Sequence, residues 1–190
     1  MGGVETVERL IRSTQELLWE RGYVGTSPKA IQRAADAGQG SMYHHFAGKA
    51  ELAKAAIERS GAELRAAAEV QLTGDGSASE RIAGYLERER DVLKGCKVGR
   101  LAADPDVIAD PVLREPVAET FEWLRKRLAE VVAEGKRSGE YPDSLDPDRI
   151  AATVAAVLQG GYVLARAAGS VEPFELAVQG LIDLLPEATK

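Results

Sequence analysis

The stretch from Thr26 to Lys49 concentrates side chains that bond to anions and to the edges of heterocycles. It holds the hydroxyls of Thr26, Ser27, Ser41 and Tyr43, the ammonium groups of Lys29 and Lys49, the amide of Gln39 and the imidazole of His44. Hydroxyls, cations and helix N-termini are common ligands of phosphate oxygens. A glutamine amide places a donor beside an acceptor, the pair that matches the adenine edge in the major groove of a duplex. Gly40 lacks a side chain and lets the backbone lie close to whatever its neighbours touch. The charge distribution agrees. The 190-residue chain has a formal net charge of -6, yet from Arg21 to Lys54 five bases (Arg21, Lys29, Arg33, Lys49, Lys54) face two acids, Asp36 and Glu51. This segment is therefore +3 and the remainder -9. A basic end on an acidic body marks a polyanion-binding module.

Other chemistries find little to work with. A single cysteine, Cys96, can form no intrachain disulfide, which fits a reducing cytosol. The two histidines, His44 and His45, are adjacent, and on a helix they diverge by about 100°, so they do not share a metal. An enzyme would need a nucleophile with its base, paired carboxylates or a metal set, and the histidines are confined to the polar stretch above. No phosphate-binding glycine loop follows a strand. The expectation is a non-enzymatic protein with no cofactor and no metal. Met1 to Leu10 contains Glu5, Glu8 and one base without an apolar run, so no cleavable leader is expected. The most apolar stretch, Ile150 to Gly169, is interrupted by Thr153, Gln159, Gly160, Gly161 and Arg166, which suits a helix buried on more than one side better than a membrane span.

The elements that must position the polar stretch are all helical. Val7, Leu10, Ile11, Thr14, Leu17 and Leu18 fall on one stripe that stops near Gly22. Ser27 with Pro28 reads as an N-cap and a first helical position, predicting a short helix to about Ala35. After a turn at Asp36, Ala37 and Gly38, a second short helix is expected from Gln39 to Phe46, and Gly48 opens a longer one to Leu72. Thr73-Gly74-Asp75-Gly76 is the best linker. Ser77 and Glu80 have capping-box spacing before a helix carrying Ile82, Tyr85, Leu86 and Leu93, broken at Lys94-Gly95. A short helix from Cys96 to Ala103 and a stretch punctuated by Pro105, Pro111 and Pro116 come next. Long helices should end at Gly139, run from Pro147 to Gly169, and run from Glu172 to Leu185. The fold class is all-α, about nine helices with no sheet.

Two short helices joined by a tight turn, with a helix on either side, form the helix-turn-helix plan for reading the major groove. Ile31, Ala34 and Ala35 make the inner side of the first and Met42 and Phe46 the inner side of the second, leaving Gln39, Gly40, Ser41, Tyr43 and His44 outside. The runs Gly22-Tyr23-Val24-Gly25-Thr26-Ser27, Ala34-Ala35 and Gly40 through Leu52 resemble the N-terminal domain of TetR-type transcriptional regulators. Less closely, Gly95 to Ala102, Phe121 to Gly139 and Gln159 to Arg166 look like the LmrA/YxaF-type subgroup. The turn departs from the family, which usually has Gly-Val-Ser where this chain has Asp36-Ala37-Gly38. Asp tolerates a left-handed backbone less well than Gly, Ala fills less core than Val, and Gly starts a helix less well than Ser.

The resemblance implies a DNA-binding domain at 4–60 and a ligand-binding and dimerisation domain at 61–190. It also implies a cytoplasmic homodimer that binds a palindromic double-stranded operator as a repressor and leaves it when a small, largely apolar effector binds. Thr26, Ser27, Lys29, Gln39, Gly40, Ser41, Tyr43, His44 and Lys49 are the candidate DNA contacts. Tyr85, Cys96, Phe121, Trp123 and Tyr162 are candidates for lining the effector pocket, though large apolar residues more often simply fill a core. Lys94 and Lys97 beside Cys96 favour its thiolate, which also leaves a redox role open.

Overall fold

A computed structural model describes residues 2–186, and two compact units divide the chain: Met1–Glu63 with Cys96–Thr120, and Leu64–Gly95 with Phe121–Lys190. Among the described residues there are nine α-helices, one 3₁₀ turn and no strand. In the first unit α1 (Gly2–Arg21) packs on α2 (Pro28–Ala34) and α3 (Gln39–His45), which also touch each other. The apolar stripe of α1 is the reason: Leu10, Leu17 and Leu18 are buried, as are Ile31, Ala35, Met42 and Phe46 from the short helices. The first half of α4 (Lys49–Leu72) adds Leu52, Ala53, Ala56 and Ile57. Two buried polar side chains in α1 are both satisfied. Thr14 donates to the Leu10 carbonyl at 2.7 Å, and the Gln15 amide donates to Ser60 Oγ and Glu63 Oε1, each at 3.1 Å. Buried polar groups with partners in place cost little.

The second unit starts from the capping box read in the sequence. Ser77 Oγ accepts from the Glu80 N–H and the Glu80 carboxylate accepts from the Ser77 N–H, opening α5 (Ala78–Glu87). The carboxylate of Glu140 adds a second cap by accepting from the Ala78 and Ser79 N–H groups at 2.8 and 2.7 Å. Bonds to these backbone groups hold its carboxyl below the ordinary value even though burial pushes the other way. Two long helices follow, α8 (Pro147–Ala168) and α9 (Glu172–Ile182), packed lengthwise. Asp146 caps α8 through the Asp148 and Arg149 N–H groups, and Gly169 ends it at φ 63°. A Cβ at Gly161 would stand 3.0 Å from the Phe174 ring, so glycine sets how closely α8 approaches α9. By length and composition α8 could cross a membrane. In this fold Ala151, Val154, Leu158, Tyr162 and Ala165 are buried on one side of α8, while Val163 and Leu164 remain exposed. One side is covered within the chain, by its own core.

Three stretches depart from their predicted form. The helix expected to continue to Leu93 ends at Glu87, because Arg88 turns extended and the Arg90 guanidinium donates to the Tyr85 and Leu86 carbonyls that a further turn would have used. Leu93 is exposed. The expected helix from Cys96 to Ala103 shrinks to turns and a 3₁₀ turn at Leu101–Ala103. The proline-rich stretch is ordered into α6 (Pro105–Ala109) and the start of α7 (Pro111–Arg137). Pro105 and Pro111 occupy first helical positions, where the missing N–H costs nothing. Pro116 lies inside α7, where it lacks the N–H that would have bonded the Val112 carbonyl one turn earlier; the Thr120 hydroxyl donates to the Pro116 carbonyl at 2.8 Å.

The turn between α2 and α3 carries its strain on one residue. Asp36 has φ 46°, the only non-glycine at positive φ among the described residues, and its side chain is exposed. Replacing it with glycine removes the Cβ conflict and loses no packing, so Asp36→Gly should stabilise the protein by about 0.5–1 kcal/mol, while Asp36→Val should destabilise it by a larger amount. Urea unfolding midpoints of the two variants against the wild type measure both.

Candidate nucleic-acid interface

Ser27 Oγ accepts the Ala30 N–H at 3.2 Å and Pro28 takes the first turn, so α2 starts where the sequence places it. Ile31 and Ala35 turn inward and Lys29 outward. In α3 Met42 is fully buried and Phe46, its cap residue, nearly so. Four residues separate them, one turn of helix, so both anchors lie on one side. The opposite side presents Gln39, Gly40, Tyr43 and His44 to solvent, with Ser41 half-buried at the edge. Beyond its own turn of helix nothing lies within 4 Å of where a Cβ on Gly40 would be, leaving the backbone there open to a flat partner. The His44 ring meets His45 edge-on at 4.8 Å. Ser27, Lys29, Gln39, Gly40, Tyr43 and His44 are thus all exposed on the α2–α3 pair.

What fixes the pair comes from outside it, and three of these residues escape a reading of the local pattern. Arg9 on α1 donates from Nε to the Ala35 carbonyl at 3.1 Å and from its terminal nitrogen to the Asp36 carbonyl at 3.4 Å, closing the carboxyl end of α2 around the strained turn. Arg100 donates to the Trp19 and Glu20 carbonyls at the end of α1. Asp104 accepts the Tyr23 N–H at 2.7 Å. None of the three has a local spacing signal, since their partners are 26 to 81 residues away. The nearest hint is that Asp104 precedes a proline, the mark of a helix cap.

Two of the predicted contacts are engaged inside the protein. Thr26 is buried and its hydroxyl donates to the Gly22 carbonyl at 2.7 Å, which closes the loop before α2. Lys49, at the start of α4, sends its ammonium to the Tyr23 carbonyl at 2.7 Å and lies 3.7 Å above the centre of the Tyr23 ring. Burial lowers the Lys49 pKa, against the opposing pull of Asp106 and Asp104; burial likewise raises that of Tyr23, with help from Asp110, Asp106 and Asp104. These two residues shape the surface from within.

Of the candidate effector residues, Tyr85 and Tyr162 are linked through Arg90 and Phe174. Tyr85 is buried in the second unit, with the Arg88 and Arg90 guanidinium carbons 5.6 and 5.7 Å from its ring centre. Arg90 is also 5.7 Å from the Phe174 ring, which stacks at 4.9 Å on Tyr162. Phe121 and Trp123 are half-buried on α7, and Trp123 lines a shallow groove of about 380 Å³ with Arg65, Glu69, Arg127 and Glu130. Cys96 belongs to the first unit, where its sulfur accepts the Gly99 N–H at 3.3 Å.

Comparison with known proteins agrees with this architecture at both ends of the chain. Residues 10–56 match the family described as bacterial regulatory proteins, tetR family, and residues 78–181 match the tetracyclin repressor-like C-terminal domain. The HTH-type transcriptional repressor DhaR of Mycobacterium sp. strain GP1 is 24% identical over 187 residues, covering 96% of this chain and 93% of that protein. The HTH-type transcriptional regulator LmrA of Bacillus subtilis is 27% identical over 185 residues, covering 94% and 95%. A crystal structure of a TetR transcriptional regulator from Chloroflexus aurantiacus, 28% identical, superposes with a TM-score of 0.84 over 96% of this chain and 94% of the other. With one family domain carrying the exposed polar face of α3 and a second, spanning more than half of the chain, following it, the protein belongs to the TetR family of helix-turn-helix transcriptional regulators, a family of DNA-binding proteins and not of enzymes.

Proposed function

We propose that this chain is a cytoplasmic transcriptional repressor that binds a palindromic operator as a homodimer through α3 and is released by a small, largely apolar effector. The observation that carries the DNA reading is the outward face of α3, where Gln39, Gly40, Tyr43 and His44 are exposed while Met42 and Phe46 are buried directly behind them. On this reading 4–60 is the DNA-binding domain and 61–190 the regulatory one, with residues 187–190 outside those described. Gln39 reads a base edge, with Gly40 and Ser41 beside it, while Ser27, Lys29, Tyr43 and His44 bind phosphates. Thr26 and Lys49 act indirectly by holding the loop before α2 in shape.

Support for the dimer comes from the α8–α9 pair. Val163, Leu164 and Leu176 are between 54% and 67% exposed on helices whose other sides are already buried, an apolar surface that a second copy would cover. Two half-sites one duplex turn apart, about 34 Å, then require two reading heads. The effector reading rests on the aromatic content of the second unit, Tyr85, Phe121, Trp123 and Tyr162, and on the domain type matched there. A tenfold loss of operator affinity needs about 1.4 kcal/mol of effector preference for the free protein.

Each part has its own test. The purified protein should bind duplex DNA with an affinity that falls steeply with salt. Lys29→Ala should weaken binding to all sequences by a similar factor and flatten the salt slope by about one unit, whereas Gln39→Ala should alter the preferred sequence. Titrations by fluorescence anisotropy at several salt concentrations measure the first, and selection from a random duplex pool the second; a Gln39→Ala protein with unchanged preference would remove Gln39 from base reading. Analytical ultracentrifugation at micromolar concentration should give twice the 20.3 kDa chain mass, and Leu164→Glu with Leu176→Glu should return it to one chain. Aromatic compounds that raise the melting temperature should lower operator affinity at saturation; stabilisation with unchanged affinity would show that the site they occupy does not regulate.

A further inference from the structure

A single carboxylate in the first unit has two separate roles. Asp104 Oδ1 accepts the Asp106 N–H at 3.1 Å and the Val107 N–H at 3.3 Å, which caps α6. Its Oδ2 accepts the Tyr23 N–H at 2.7 Å. The fit is close, for a Cβ at Gly22, where φ is +70°, would stand 2.8 Å from that oxygen. The other side of the same residue is also held: the Tyr23 carbonyl accepts the Lys49 ammonium at 2.7 Å and the Thr26 N–H at 3.1 Å. Ser27, the cap of α2, comes next in the chain. Thr26 and Lys49 immediately flank α2 and α3 in the chain, whereas Asp104 reaches the loop from further along it. Four residues before it, Arg100 grips the Trp19 and Glu20 carbonyls. The chain is therefore held on both sides of the point where α1 ends and the approach to α2 begins.

We propose that Asp104 is a positioning residue for DNA recognition, its second carboxylate oxygen fixing the Tyr23 loop and through it the placement of α2 and α3. This rests on the DNA-reading proposal above and adds a residue that makes no DNA contact. The two roles are separable by chemistry. Asparagine and serine are both good helix caps, but each offers one side-chain acceptor oxygen where the carboxylate offers two. Either substitution keeps the cap of α6 and leaves the Tyr23 N–H without its partner. The charge effect has the opposite sign, since removing a negative charge near phosphates favours binding.

Duplexes selected from a random pool by the wild-type protein provide the probe, with affinities read by fluorescence anisotropy and folding by thermal melts. Asp104→Asn and Asp104→Ser should melt cooperatively within a few degrees of the wild type and bind the selected duplex about tenfold more weakly, the scale of one lost charge-assisted hydrogen bond. Asp110→Asn removes the same charge from a carboxylate that caps α7 through the Val112 N–H at 2.9 Å, and should bind as well as the wild type or slightly better. An Asp104→Asn protein that binds as tightly as the wild type, or more tightly, would overturn the assignment, because charge alone would then account for it. Loss of a cooperative melt in both Asp104 variants would overturn it as well, by making the carboxylate a folding requirement. A wild type that selects no duplex would overturn the DNA-reading proposal itself, and that result is known before any variant is compared.

Discussion

A helix of seven residues is too short to be stable by itself in water, and α3 is such a helix. Its existence depends on two side chains, Met42 and Phe46, being buried against α1 and α2. That constraint bears on the proposed function as well as on the fold. Since both anchors lie on one side, the other side cannot contribute to the core and is left for Gln39, Gly40, Tyr43 and His44. Truncating Met42 would remove about 2–5 kcal/mol of buried contact, comparable to the entire stability of a small domain. Stability is thus more sensitive to substitution of the residues that hold the outward face of α3 in place than of those that form it.

The parts of this arrangement legible in the sequence are those encoded within a few residues. Ser27 with Pro28, Ser77 with Glu80, and Asp146 with Pro147 each place a helix start where the structure has it, because a cap and the N–H groups it serves lie within one turn. The inner and outer faces of α3 were legible for the same reason, through the four-residue spacing of Met42 and Phe46. Where a side chain takes a backbone carbonyl without a recognised cap spacing, or its partner is distant, local pattern misleads. The periodicity through Leu93 suggests a longer α5, but the Arg90 guanidinium takes the carbonyls at its end. Thr26 and Lys49 read as phosphate ligands by residue type, and that each also donates to a backbone carbonyl, that of Gly22 and that of Tyr23, emerges only when the loop is closed. Arg9 on the α2–α3 turn belongs to the same class.

The prolines illustrate how one residue type gives opposite signals. Pro105 and Pro111 begin helices, each preceded by an aspartate that caps the new turn, Asp104 and Asp110. Pro116 interrupts the hydrogen-bond ladder of α7 without ending the helix: the N–H it lacks would have served the Val112 carbonyl one turn earlier, near the start of α7, and Leu113 and Val117 on either side are buried. Reading all three as breaks turns two helices into a loop. The physical difference is whether the N–H that proline lacks would have been bonded, and at a first helical position it would not.

Those aspartates raise a question of electrostatics, since Asp104, Asp106 and Asp110 form an acidic group in a unit that is to meet a polyanion. They lie near enough to act on Lys49 and Tyr23. The charges are not idle, however. Asp104 and Asp110 each accept N–H groups at the positive end of a helix, where a carboxylate is stabilised and its field partly neutralised. The Lys49 ammonium is held nearby by the Tyr23 carbonyl and ring. Negative charge here is directed into the backbone that it organises, while the cation of Lys29 is left exposed at the start of α2. A chain with a formal charge of -6 can therefore present a surface suited to phosphates, because net charge governs the approach of the whole molecule and the local arrangement governs what α2 and α3 meet on arrival.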